Sequence, residues 1–270
     1  MTEWKALVGR IILFPTAPSA SPSTEALELY KRVWGTNPES YQKQQNAFVP
    51  TVAQGKTHGV AITCGTHPTR IEFGLMPAVS NADALSLELF ENSGNYYAEL
   101  KRIIEAVGNG AVTTAVSRVA LQIQFLSVKP SQTEANKTLA SIMPEQYSLQ
   151  LTDEHEFILQ ANRPRTSHEV KTVEMNFITK WSVDRLQVLR LSIPMTGGPI
   201  AMPIDLNSSK IRPLEFIAAS VMFDFNNAPR NDALTVTDQA SLLLESLNTV
   251  VQYQLDMGLN VEGFKDANSA

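Results

Sequence analysis

The sequence predicts an α+β protein made of two related units, each a mostly antiparallel, curved sheet covered by a long amphipathic helix. Residues 5–107 follow the order strand, helix, three-strand meander, further strand and amphipathic helix, and residues 117–257 repeat that order. A sheet with one apolar face must cover that face, which a long helix in each half would do. We therefore expect one unit in residues 1–110, a second in 111–258 and a loose tail in 259–270.

The first unit opens with a strand and a helix. Residues 5–14 (KALVGRIILF) have the apolar run of a buried strand. Ser21 and Pro22 suit the N-cap and the first position of a helix, and Gly35 suits the position just after its end. The polar stretch 36–46 predicts a loop or a short helix.

A meander of three strands is predicted next, because glycine and proline interrupt three apolar stretches at short intervals. The strands are predicted at 47–54, 57–65 and 69–76. The first turn of this meander falls at Gly55-Lys56. Residues 84–91 alternate leucine with other residues, which favours a further strand. An amphipathic helix then runs from residue 92 or 93 to residue 107.

The second unit begins with the most regular strand pattern in the chain. Between residues 117 and 128, Val, Leu, Ile and Phe alternate with Ala and Gln. Ser131 and Glu134 have the spacing of a capping box for the helix that follows. Further strands are predicted at 154–162, 171–181 and 185–193. The composition of residues 182–185 favours a turn, so the last two strands are expected to form a hairpin.

The chain closes with a long loop, a strand and a helix. The loop 194–213 is rich in proline and contains two adjacent glycines. A strand is predicted at 214–225. The helix over 236–257 has apolar residues at helical spacing, with Thr235 as its N-cap and Gly258 as its stop.

Composition limits the classes of function. The net charge of −5 disfavours nucleic-acid binding, because duplex binding depends on many lysine and arginine contacts to phosphate. Cys64 is the single cysteine, so an internal disulfide is excluded and a reducing compartment is expected. The N-terminus lacks the basic start and apolar run of a secretory signal, and no stretch approaches about 18 apolar residues. We expect a cytoplasmic protein with no membrane segment.

Two stretches carry a family resemblance. One is the second-half strand with its capped helix, VALQIQFLSVKPSQTEANKTLASIMP, and the other is the strand ending FDFNN with the closing helix and the segment GLNVEGF. In these stretches and in the order of its elements, the chain resembles a sporadically distributed bacterial family of uncharacterised proteins of similar length. The resemblance implies no known activity. A scattered distribution would suit an accessory or defence-type gene.

No local pattern predicts a catalytic residue, a metal site or a cofactor. The histidines form neither an H-x-x-x-H nor an H-E-x-x-H pattern, and one cysteine is too few for a typical structural zinc site. They are His58, His67, His155 and His168. Cys64 lies three residues before His67, which leaves a Cys–His nucleophile pair open. A buried structural thiol is the preferred interpretation, since no cysteine-protease signature surrounds it.

Two polar groups form an alternative site. His155 is flanked by acidic residues that could hold an imidazolium, although a solvated strand entry is the preferred interpretation. Asp224 and Asn226 end a predicted strand, where they could ligate a divalent cation or form a turn. The alternative hypothesis is therefore a hydrolase that uses His155 or Asp224 in a pocket assembled by the fold.

The preferred hypothesis is a non-catalytic binding or assembly protein. The loop 194–213 places apolar side chains among its prolines, and exposed apolar residues on a long loop can contact a partner. These candidate binding residues are Met195, Ile200, Met202, Ile204 and Leu206. A loop folded back on the body remains the other interpretation. The expected partner is another protein, a second copy of the chain or a small ligand, the last of which could also occupy a cavity lined by Phe73, Leu121 and Phe177.

Overall fold

A ten-stranded antiparallel sheet forms the frame of the molecule. The computed structural model describes residues 3–18, 25–43, 51–78, 87–90, 93–144, 157–188, 214–259 and 261. In chain order, the elements are β1 (Lys5–Pro15), α1 (Glu25–Trp34), β2 (Ser40–Gln42), β3 (Thr51–Thr57), β4 (Val60–His67), β5 (Arg70–Pro77), α2 (Ser93–Gly108), β6 (Val116–Lys129), α3 (Gln132–Ile142), β7 (Ile158–Asn162), β8 (Arg165–Thr166), β9 (Glu174–Val188), β10 (Leu214–Asn227) and α4 (Val236–Asp256).

The two long strands β1 and β6 lie side by side near the middle of the sheet. The strand order is β2-β3-β4-β5-β1-β6-β10-β9-β7, and β8 pairs with β9. Ile11 of β1 stands opposite Leu121 of β6, and both side chains are fully buried. The prediction of helices combined with a mostly antiparallel sheet is confirmed.

The helices pack on one face of this sheet. In α4, the ring of Tyr253 meets Phe225 of β10 edge-on at 5.9 Å, and in α1 the ring of Trp34 meets Phe73 of β5 at 6.2 Å. Leu139 of α3 belongs to the same hydrophobic cluster, and α2 packs against α4 and β1. Side chains along a strand point alternately to the two faces of the sheet. The residues between those that contact the helices therefore lie on the opposite face.

The first turn of the meander lies at His58-Gly59 rather than at Gly55-Lys56. Both turn residues have positive φ, of 45° and 79°, and glycine adopts such a conformation at no steric cost. Gly55 lies inside β3, where the hydroxyl of Tyr30 occupies the space that a Cβ would need. A glycine is therefore required at this position by the close packing of α1 and not by a turn.

The predicted hairpin around residues 182–185 is wrong, because β9 runs unbroken through it. Ser182 pairs with Ser220 of β10 and keeps the ladder intact. Its hydroxyl donates to Oδ1 of Asp184 over 2.7 Å on the face away from the helices. Residues 87–90 are also not in a strand, and the rest of the strand predicted at 84–91 lies outside the described residues.

The predicted helix caps are largely confirmed. Thr235 and Asp238 form a reciprocal capping box at the start of α4, and the hydroxyl of Ser131 accepts from the backbone N–H of Glu134 at the start of α3. The predicted cap of α1, Ser21, lies outside the described residues. No helix in the described part of the chain has the length and apolarity needed to cross a membrane.

The segments that follow the first and the last helix also differ from expectation. The stretch 36–46 contains the three-residue strand β2 rather than a helix. Leu259 and Val261, at the start of the predicted loose tail, are each 1% exposed and belong to the core. Residues 262–270 lie outside the described part.

Candidate functional site

The face of the sheet opposite the helices carries a continuous group of polar side chains. The strand registers place Arg10, Gln122 and Asp224 in one row across β1, β6 and β10. We call this group the polar sheet face. Its members are Arg10, Glu72, Arg118, Gln122, Gln124, Asn176, Lys180, Ser182, Asp184, Ser220, Asp224 and Asn226.

The carboxylate of Asp224 is the centre of one hydrogen-bond network on this face. Its Oδ2 accepts from Nε2 of Gln122 and its Oδ1 from Nδ2 of Asn226, each over 3.0 Å. Asn226 Oδ1 accepts in turn from Nη2 of Arg118 at 2.9 Å and from Nδ2 of Asn176 at 3.3 Å. The charge of Asp224 is therefore linked through an amide to a guanidinium, and its orientation is fixed.

A second network surrounds Asp184. Its Oδ2 accepts from Nε2 of Gln124 at 2.9 Å, and its Oδ1 accepts from the hydroxyl of Ser182. Gln124 Nε2 also donates to the hydroxyl of Ser220 at 3.0 Å. Both aspartates of the polar sheet face thus have each carboxylate oxygen occupied by a neighbouring donor, which makes them ordered acceptors rather than free bases.

The sequence prediction identified only part of this surface. Asp224 and Asn226 lie in it, but they belong to the ladder of β10, so the interpretation as a turn is wrong. The alternation of glutamine with apolar residues in β6 was the signal for Gln122 and Gln124. Asp184 was missed because its neighbours have the composition of a turn.

The other predicted site residues fall outside the described part of the chain. These are His155 and the loop residues Met195, Ile200, Met202, Ile204 and Leu206. The pairing of His155 with Asp224 and the role of the loop therefore stay predictions.

Cys64 and His67 do not form a nucleophile pair. They lie on opposite faces of β4, and the Cys64 side chain is fully buried in the core. Burial raises the pKa of its thiol well above the ordinary range, because the thiolate would lose its hydration. His67 instead has its Nδ1 3.0 Å from the hydroxyl of Thr69. The interpretation of Cys64 as a buried structural thiol is confirmed.

Neither a metal centre nor the predicted ligand cavity is formed by the described residues. Within them, no group of three or more His, Cys, Asp or Glu side chains could hold a metal ion. Phe73, Leu121 and Phe177 belong to the packed hydrophobic core, and none of them lines the cavities of 210, 330 and 540 Å³. These cavities lie elsewhere, and the largest is bordered by Lys5 and Leu126 at one end of β1 and β6.

No protein-family model and no curated protein matches this chain.

Proposed function

We propose that this protein is a non-catalytic binding or assembly protein, and that the polar sheet face holds a protein partner. The observation that carries the proposal is the saturation of Asp184 and Asp224, whose four oxygens all accept from side chains of the same face. Side chains fixed in this way lose little further entropy when a partner binds. Such a surface is suited to binding a protein partner.

The same observation gives the hydrolase alternative less support. A general base needs an oxygen within reach of the proton that it removes, and both oxygens of Asp224 already accept from amides. Among the described nucleophile candidates, the thiol of Cys64 is buried, and the hydroxyl of Ser167 is 1% exposed and donates to the carboxylate of Glu245.

A macromolecular partner fits this surface better than a small ligand does. The face crosses β5, β1, β6, β10 and β9, which at the usual strand spacing is about 19 Å wide. Arg10 at one margin is 49% exposed, Asp224 in the middle is half-buried, and Ser182, Ser220 and Asn226 are buried. Small ligands bind in concave cavities that enclose them, and the cavities of 210, 330 and 540 Å³ among the described residues are lined by other side chains.

We further propose that the two halves of the chain, 1–110 and 111–258, are related units. Counted outward from the central pair of strands, the order is β1-β5-β4-β3 on one side and β6-β10-β9-β7 on the other. In each half a helix follows the first strand. A longer helix follows the last strand, which pairs with the first strand of that half. Shared topology of this kind is the expected result of an internal duplication.

Affinity purification from the source cell tests the binding role. The bait proteins are the wild type, a Gln122→Ala/Gln124→Ala variant on the polar sheet face, and a Glu134→Ala/Lys137→Ala control at an exposed ion pair of α3. We expect one protein to be recovered at a fixed molar ratio with the wild-type bait and with the control bait. That protein should be lost with the Gln122→Ala/Gln124→Ala bait. Equal recovery with all three baits would contradict the proposed surface. Hydrolysis of an ester or phosphate substrate that Asp224→Asn abolishes would favour the enzyme.

A further inference from the structure

We infer that the partner on the polar sheet face is a second copy of this chain, bound about a twofold axis. This inference rests on the proposed function and names its partner. It starts from the charges of described residues on the polar sheet face and on the stretches of strand that continue it, which add Lys56, Arg70 and Glu174. These charges differ in sign between the two sides of the sheet. The side formed by β3, β5 and β1 carries Lys56, Arg70, Arg10 and Glu72. The side formed by β6, β10 and β9 carries Arg118, Lys180, Glu174, Asp184 and Asp224.

The first side is therefore positive and the second negative. The first side carries three cations and one carboxylate, and the second side carries two cations and three carboxylates. The first side is positive even though the chain as a whole has a net charge of −5. Arg10 and Arg70 are 49% and 53% exposed, and they share Glu72, at 3.5 and 3.6 Å. Their guanidinium groups thus keep donors available to a partner.

A twofold axis brings the positive side of one copy against the negative side of the other. In an isologous interface each side of the surface meets the other side of the second copy. With the axis running along β6, the guanidinium group of Arg10 meets the carboxylate of Asp224, which lies in the same row. Arg70 meets Glu174, which lies at the same end of the sheet, and the reverse contacts form at the same time. Charge complementarity of this kind fixes orientation and disfavours other partners.

The uncharged residues of the face are also compatible with a second copy. Side-chain amides both donate and accept hydrogen bonds, so Gln122 and Asn176 can pair with amides of an identical surface. A surface made only of donors or only of acceptors could not. Ile178 and Met222 are half-buried among these amides and supply apolar contact area.

Charge reversal tests the inference by sedimentation velocity. The first variant, Arg10→Glu/Arg70→Glu, makes the positive side negative. The second, Glu174→Lys/Asp224→Asn, makes the negative side positive and keeps the shape of Asp224 in its network. We expect the wild type to sediment as a dimer, each variant alone to dissociate at least tenfold more readily, and an equimolar mixture of the two variants to dimerise again. Added salt should weaken the wild-type dimer, because exposed charges are screened.

Three results would overturn the inference: a wild type that is monomeric at all concentrations, variants that dimerise as the wild type does, or a mixture that stays monomeric. An Arg10→Gln/Arg70→Gln variant, with its thermal unfolding measured, keeps the test valid if the reversed variants fold poorly, and it should dimerise more weakly than the wild type. If the wild type is monomeric while a different protein is lost from the Gln122→Ala/Gln124→Ala bait, the proposed function survives without this partner.

Discussion

The phenol of Tyr96 in α2 lies directly over the backbone of Gly9 in β1, in the space that a side chain on Gly9 would occupy. Its hydroxyl donates to the carbonyl of Val8 at 3.3 Å. Burial raises the pKa of Tyr96 well above the ordinary value, because the phenolate would be desolvated. This contact brings α2 onto a strand at the centre of the sheet, so a glycine is required at that point of β1.

We predict that Gly9→Ala lowers the free energy of unfolding by about 1–3 kcal/mol, since the added methyl group must displace Tyr96 or the strand. Urea unfolding measures this change. The cost should be smaller in a Tyr96→Phe background, because the hydroxyl is the nearest obstacle. Gly59→Ala is the matched control: its cost comes from a positive φ and should be the same in both backgrounds. Equal costs of Gly9→Ala in the two backgrounds would contradict the packing explanation.

A buried carboxylate joins α1 to α2. Trp34 donates from Nε1 to Oε2 of Glu99 at 2.9 Å, and the Glu99 side chain is only 3% exposed. We predict that Trp34→Phe costs about 1–3 kcal/mol beyond the lost packing, because the carboxylate stays buried with one donor fewer. The Trp34→Phe/Glu99→Leu double variant should be more stable than the sum of the two single changes predicts. A double-mutant cycle by urea unfolding checks this, and strict additivity would show that the hydrogen bond contributes nothing.

The type and order of most elements could be predicted because their signals are local. The alternation in β6 and the capping box at Thr235 are readable over a few residues, and both appear in the structure where expected. Turn positions were less predictable. Gly55 is a residue type typical of turns, but its environment is set by Tyr30 of α1, which lies 25 residues earlier and packs against β3 at this point.

The candidate site shows the same limit. Asp224 and Asn226 were recognisable as polar residues near a strand end, but their partners come from distant strands. Gln122, which donates to Asp224, is 102 residues away in the chain. Ser182 and Asp184 have turn composition because the strand that carries them exposes one polar face. Sequence alone cannot distinguish these two causes of polarity, since both place short polar residues between apolar ones.

A second buried carboxylate holds the segment between β7 and β9 against α4. Glu245 accepts from the hydroxyl of Ser167 at 2.5 Å and from the backbone N–H of His168 at 3.1 Å. Ser167 also accepts from the backbone N–H groups of Glu169 and Val170. One side chain therefore organises a whole turn.

We predict that Ser167→Ala releases this turn. Amide hydrogen exchange should accelerate by at least tenfold across residues 165–173, while the middle of α4 keeps its protection, because the loss is local. Ser141→Ala is a suitable control, since the hydroxyl of Ser141 makes a single local bond to the carbonyl of Thr138 in α3. Unchanged exchange in residues 165–173 would show that the apolar contacts of Val170 and Val173 hold the segment without Ser167.

The buried thiol of Cys64 makes stability depend on alkaline pH. Burial raises the pKa of Cys64, so the folded protein retains a proton that the unfolded chain loses above about pH 8.5. Stability is therefore undiminished below that pH and falls as pH rises above it, by about 1.4 kcal/mol per pH unit for this group.

We predict that Cys64→Val removes the first part of this decline and leaves the later part, above about pH 10, where Tyr96 adds the same effect. Urea unfolding at a series of pH values measures the decline. Native protein should also resist iodoacetamide at about pH 8, where the urea-unfolded chain reacts readily. Equal labelling of folded and unfolded protein would place the thiol at the surface and remove the cause of the pH dependence, because only a desolvated thiol holds its proton this strongly.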